Sequence, residues 1–163
     1  MSPPDPVPQR RPKGGGLPFA KRIRLERDAY REWNVAFHLT IDAHPAARWP
    51  ESLCAALWES IRTADRIELV AACLMPDHVH LLVRRNRLDI IEFLNEWKSW
   101  TTRLGWKHGL KGGIWQPGMW DTTIVGDGQF SAVHDYIVRN PVTAGFVEDA
   151  LDWPWTWSRL WDD

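Results

Sequence analysis

No apolar run in this chain approaches the roughly 20 residues that a membrane-spanning helix needs, so a helical membrane anchor is not expected within it. The N-terminus mixes Pro, Gly and Arg where a secretion signal needs an apolar segment, and a cytoplasmic protein with no membrane partner is the expectation. Cysteine is scarce. Cys54 and Cys73 each stand alone in an apolar pattern, without the paired spacing of a zinc ribbon or the number a disulfide framework requires, so both are expected in the core. Tyrosine is equally scarce, with only Tyr30 and Tyr136. No internal repeat is visible, and 163 residues suit one domain rather than two.

A net charge of -1 conceals opposite ends. Residues 1 to 31 hold eight Lys/Arg against three Asp/Glu, whereas Glu148 to Asp163 holds five acids and one arginine. The prolines and the Gly14-Gly15-Gly16 triplet of residues 1 to 20 cannot bury enough apolar surface to order themselves, so these residues read as a flexible leader before a domain of residues 21 to 163. Within the basic segment, Lys21, Arg22, Arg24 and Arg27 are candidates for gripping a phosphate backbone, or simply a solvated arm. Twelve tryptophans is a high count. Most belong in a core, but a few on the surface would stack on unpaired bases, and Trp115 and Trp120 are open to either role.

Alternation from Trp33 to Ile41 predicts a first strand, and helical spacing from Glu51 to Asp65 a crossover helix. Two apolar runs, Ile67 to Met75 and His78 to Val83, flank the Pro76-Asp77 turn and predict a hairpin. A long helix is expected over Leu88 to Lys107, an extended segment over Ile114 to Val125, and a last helix over Gln129 to Asn140 that stops before Pro141. The order β-α-β-β-α-β-α points to an α+β domain, an antiparallel sheet with helices packed on one face.

His78 and His80 stand two apart on a predicted strand, so both face one side and can hold one metal ion. Tyr136 and Asn140 stand four apart on a predicted helix, which stacks a nucleophile and a third ligand on one face. This combination suggests metal-assisted phosphoryl transfer through tyrosine, with nucleic acid as the polymer. Arg139 is placed to stabilise a phenolate or a phosphate, whereas His134, two residues before Tyr136, is poorly placed as a base. Each has a plainer reading. Asn140 is also a common residue at a helix end, and His38 reads more readily as an ordinary sheet residue.

Four segments in order carry a resemblance: Met-Pro-Asp-His-Val-His at 75 to 80, Ile-Trp-Gln-Pro-Gly-Met-Trp-Asp at 114 to 121, His-Asp-Tyr-Ile-Val-Arg-Asn-Pro-Val at 134 to 142 with Ala144-Gly145-Phe146-Val147 after it, and Asp-Trp-Pro-Trp-Thr at 152 to 156. Over most of residues 33 to 157 the chain resembles the single-tyrosine HUH transposases, and among them the REP-associated tyrosine transposases. The resemblance implies a ferredoxin-like or RRM-like HUH nuclease fold, with a divalent ion (Mg²⁺ or Mn²⁺) on His78, His80 and Asn140. It implies that Tyr136 attacks single-stranded DNA beside a palindromic hairpin, leaving a 5′-phosphotyrosine and a free 3′-hydroxyl, in a monomer or homodimer. Two other readings compete. His38-Leu39-Thr40 resembles half of the paired His-x-Thr motif of cyclic phosphodiesterase-like enzymes, although the second half is missing, and a catalytically silent hairpin-DNA-binding protein would keep the fold alone.

Overall fold

The computed structural model describes residues 35–162, apart from 88 and 125. The leader, the start of the expected first strand and Lys21, Arg22, Arg24 and Arg27 therefore lie outside the described residues. Five strands form one antiparallel sheet in the order β4-β1-β3-β2-β5: β1 Ala36–Asp42, β2 Ile67–Met75, β3 His78–Arg85, β4 Trp120–Ile124 and β5 Thr156–Ser158. The helices are α1 Glu51–Arg62, α2 Ile90–Lys107, α3 Gly126–Val138 and the single turn α4 Asn140–Thr143. The first four strands have the split βαβ arrangement of a ferredoxin-like sheet. Among the described residues no helix is long and apolar enough to cross a membrane.

Both faces of the sheet are covered, which corrects the expectation of helices on one side only. Phe37, Leu39 and Ile41 of β1 and Val79, Leu81 and Val83 of β3 pack with Leu53, Leu57 and Ile61 of α1 and Phe93, Leu94 and Trp97 of α2. Ala36, Leu82, Cys73 and Met75 face the other way, against Ile137 and Val138 of α3 and Trp153. The change of phase along β2 follows from an irregularity between Leu69 and Ala71. It lets Leu69 serve the first core and Ala71 and Cys73 the second, although all three are odd-numbered. An apolar run tolerates this because neither side of it meets water.

Local chemistry sets the helix ends. Asp89 accepts the Glu92 amide at 2.8 Å while the Glu92 carboxylate accepts the Asp89 amide at 3.3 Å, a reciprocal cap that starts α2. Gly109, at φ +91, ends it. α1 stops at Arg62 rather than Asp65, and Thr63, which follows it, donates both its amide and its hydroxyl to the Glu59 carbonyl. α3 starts earlier than expected, at Gly126, and breaks at Arg139, so Asn140 heads a new turn instead of ending the old one. Pro141 explains the break: it has no amide to continue α3 but costs nothing at the start of α4. The extended segment shrinks to β4, and three-residue β5 is too short to show an alternation.

Tryptophans join these layers. Trp97 sits between Trp115 and α1, its ring centroid 5.0 Å from that of Trp115 and its indole N–H donated to Ser60 at 3.0 Å. Cys54 and Cys73 are buried, as expected, and burial pushes their thiols up to about 11 and about 12, so neither is a thiolate nucleophile or ligand at neutral pH. α2 reaches the following loop through Gly105, where an added Cβ would lie 2.9 Å from Ile114 Cγ2. Alanine is the better helix former by about 1 kcal/mol, but here the clash with a fully buried, β-branched neighbour dominates. Gly105→Ala is expected to destabilise the fold by about 1–2 kcal/mol in urea denaturation; an increase in stability would show that Ile114 gives way freely.

Candidate nucleic-acid processing site

The register of the sheet assembles the site. β1 and β3 pair with Thr40 opposite His80, His38 opposite Leu82 and Asp42 opposite His78. Directly opposed residues share a face, so His38, Thr40, His78 and His80 all project toward the α3 side. His38 and His80 are diagonal neighbours, and their Nε2 and Nδ1 atoms come within 3.0 Å. Thr40 Oγ1 lies 3.1 Å from the same Nδ1. At the hairpin turn, His78 Nδ1–H donates to Asp77 Oδ1 at 2.6 Å.

These partners fix the direction of both imidazoles. With its Nδ1 proton held by Asp77, His78 turns a bare Nε2 inward; His80 Nδ1 meets Thr40 Oγ1 and His38 Nε2, either of which can give or take a proton, and its Nε2 also points inward. The two Nε2 atoms then face each other at 3.1 Å. That separation suits a proton on His80 Nε2 donated to His78, or a cation drawn to both nitrogens. His78 and His80 are 6% and 4% exposed, so water contributes little to their pairing.

α3 brings Tyr136 over this pair. Its ring centroid is 5.4 Å from that of His80 and 5.9 Å from that of His38, edge-on to both. Neighbouring Ile137 and Val138 are buried and hold the helix down, while Tyr136 stays 54% exposed and its hydroxyl makes no hydrogen bond among the described residues. His134 points elsewhere: its Nε2 and Ser158 Oγ, on β5, are 2.6 Å apart, which agrees with its dismissal as a base for Tyr136. Asn140, 2% exposed, has a buried Oδ1 without a hydrogen-bond partner among the described residues. A buried amide oxygen left unpaired costs about 1–3 kcal/mol, and a cation ligand role would offset that cost.

The tryptophan expectations separate. Trp115 is core, 7% exposed, its N–H donated to Thr101 at 2.8 Å and its ring against Trp49 and Trp97, so it has no free face for a base. Trp120 stays available in part. It opposes Thr40 on β4 and so shares the histidine face, two strands or roughly 10 Å from His80. Arg139 is exposed in the turn between α3 and α4. His38 is the residue that sequence reasoning undervalued; its position on the polar side of a strand otherwise packed on its other face was the available signal.

The model of the family described as "Transposase IS200 like" matches residues 38–140, the stretch bounded by His38 and Asn140. The chain belongs to the IS200-like transposase family. Two curated relatives carry the REP-associated tyrosine transposase designation. One, from Escherichia coli strain K12, is 32% identical over 89 residues, covering 55% of this chain and 53% of the relative. The other, from Haemophilus influenzae, is 33% identical over 101 residues, covering 55% of this chain and 57% of the relative. The chain thus spans little more than half the length of the curated relatives it matches. A solved structure of a REP-associated tyrosine transposase bound to a REP hairpin shares the fold, with TM-score 0.60, 24% identity and 74% of each chain covered.

In this member of the family the buried pair His134 and Ser158 ties α3 to β5. His134→Ala, which leaves Ser158 unsatisfied, is expected to lower stability by about 1–3 kcal/mol in a urea melt, and an unchanged melt would mean that water replaces the imidazole.

Proposed function

We propose that this protein is a metal-dependent, single-stranded DNA endonuclease and strand transferase that cuts beside DNA hairpins through Tyr136. The observation that carries this reading is the half-exposed Tyr136 ring lying edge-on to His80, whose Nε2 faces that of His78. Family membership supports the reaction class, and the structural neighbour bound to a REP hairpin supports hairpin DNA as the partner.

His78, His80 and Asn140 would hold the ion, two imidazole nitrogens and an amide oxygen being a donor set that leaves positions for phosphate oxygens. Bound Mg²⁺ or Mn²⁺ supplies positive charge that offsets the anionic phosphate and polarises it for attack. Imidazole suits Mn²⁺ better than Mg²⁺, so Mn²⁺ is expected to support activity at least as well in vitro. Asp77 holds the His78 Nδ1 proton, and Thr40 and His38 meet His80 Nδ1, so both Nε2 atoms point inward.

Tyr136 Oη forms a bond to phosphorus, and the bond from phosphorus to the 3′-oxygen breaks. The phenol proton leaves, the departing 3′-oxygen gains one, and the 5′-phosphate stays on the tyrosine. Attack by a 3′-hydroxyl on that phosphotyrosine reverses the exchange and joins strands. Arg139, beside this centre and open to solvent, presents a cation to the phosphate, and Trp120 an aromatic face to a flanking base.

A denaturing gel after incubation with labelled single-stranded hairpin DNAs and Mn²⁺ is expected to show a DNA-linked protein band that Tyr136→Phe and His78→Ala both abolish. Absence of any adduct across a broad hairpin set would sink the reading: in favour of a two-histidine phosphoesterase if small phosphoesters are hydrolysed, and of a silent DNA-binding protein if the DNA is only bound. By calorimetry, Asp77→Asn and His38→Ala are each expected to weaken Mn²⁺ binding about 10–100-fold. Unaltered affinity in both would remove them from any role in orienting the ligands.

A further inference from the structure

Between Glu96 and Trp120 the chain carries no acidic residue, yet it holds Lys98, Arg103, Lys107 and Lys111 and four tryptophans. This stretch is the second half of α2 with the turn after it, on the side of the sheet away from Tyr136. Its buried members have structural work: Trp97 and Trp115 pack in the core, and Lys98 donates to the carbonyls of Gln116 and Gly118 at 2.7 and 3.0 Å. The remainder is unexplained. Trp100 and Trp106 are 48% and 52% exposed, and Arg103 lies between them at three-residue spacing on the outer face of the helix.

Two clefts flank that line. One, of about 640 Å³, is bordered by Ser60, Ala64, Phe93 and Trp100; the other, of about 460 Å³, by Thr102, Trp106, Gly113 and Pro117; Ser99 and Arg103 form the wall they share. The acids at the first cleft are already matched, Glu96 by Arg66 and Asp65 by Arg87. The second has none. Arg103, Lys107 and Lys111 are exposed and have no ion pair among the described residues, so the surface presents uncompensated cations beside two aromatic faces.

We infer that the outer face of α2, through Trp100, Arg103, Trp106 and Lys107, is a second binding surface for single-stranded DNA, separate from the Tyr136 site. Flat indoles at either end accept unpaired bases of any sequence, and the cations between them meet the backbone phosphates. A folded duplex offers no such base faces, and an acidic peptide would leave the tryptophans unused. The inference takes DNA as the substrate from the function proposed above, but it does not depend on Tyr136 chemistry.

The test uses the full chain carrying Tyr136→Phe, so that binding is read without cutting. Trp100→Ala with Arg103→Gln is added, leaving Trp106 to hold the turn through its N–H to the Gly112 carbonyl at 2.8 Å. Fluorescence anisotropy with oligothymidylate of about 20 nucleotides, longer than one binding site of this type, is expected to show at least about tenfold weaker binding and a shallower salt dependence. Affinity for a blunt hairpin should not change, and thermal denaturation should confirm that the variant is folded. Cross-linking of 5-iododeoxyuridine DNA to the intact surface, mapped to the peptide holding Trp100 and Trp106, reads the same contact without substitution. Unchanged oligothymidylate affinity, loss confined to the blunt hairpin, or cross-links only elsewhere would each overturn the inference. If no hairpin forms a Tyr136 adduct but α2-dependent binding persists, the proposed chemistry fails and this surface stands.

Discussion

The pairing register of β1 with β3 is the constraint on which the site depends. β3 is central and buried on both sides, with Val79, Leu81 and Val83 in one core and His78, His80 and Leu82 facing the other. A slip of one residue would drive two imidazoles into the core under α1 and α2 and turn three aliphatic side chains toward the polar pocket. The aliphatic positions therefore enforce the register, and the register places Thr40 and His38 at the Nδ1 atom of His80. Packing and site geometry here are one specification, written on alternate residues of the same strands.

Tyr136 illustrates a second balance. A half-exposed aromatic ring on an isolated helix would sample many positions, and orienting it would fall to the substrate. Here Ile137 and Val138 anchor α3 in the second core, and His134 meets Ser158 on β5. The break at Arg139 then frees Asn140 from the helix-end role, and its buried Oδ1 has no hydrogen-bond partner among the described residues. Apolar burial holds the elements, while that amide oxygen is left without such a partner. That combination is expected of a site that completes its coordination only with a ligand.

Much of this was legible in the sequence because long, regular elements write themselves as periods. The hairpin, the two helices over the first core, the histidine pair and its shared face all follow from alternation or helical spacing. What escaped has particular causes. β5 is three residues long, and its pairing with β2 is a contact over more than 80 residues of chain that no local pattern encodes. The second covered face depends on where α3 docks, which its own sequence does not state. His38 looked like a strand residue because its significance lies in a diagonal neighbour on β3, and Trp115 looked ambiguous because only its neighbours Trp49, Trp97 and Thr101 decide that it is core.

Phosphotyrosine chemistry on the proposed reading also constrains where specificity resides. Cleavage exchanges one phosphoester for another of similar energy, so the covalent step alone gives little preference for cutting over rejoining. Direction must come from which DNA segments stay bound while the bond is open. The imidazole pocket spans only a few side chains and is poor in groups that read bases, whereas the exposed Trp100 and Trp106, with Arg103 and Lys107 beside them, stand on the outer face of α2, beyond the opposite side of the sheet. A division between a small, rigid centre for bond exchange and a broader surface for strand retention follows from that distribution, and it accounts for how a chain with a net charge of only -1 can engage a polyanion: the charge that matters is local, not total.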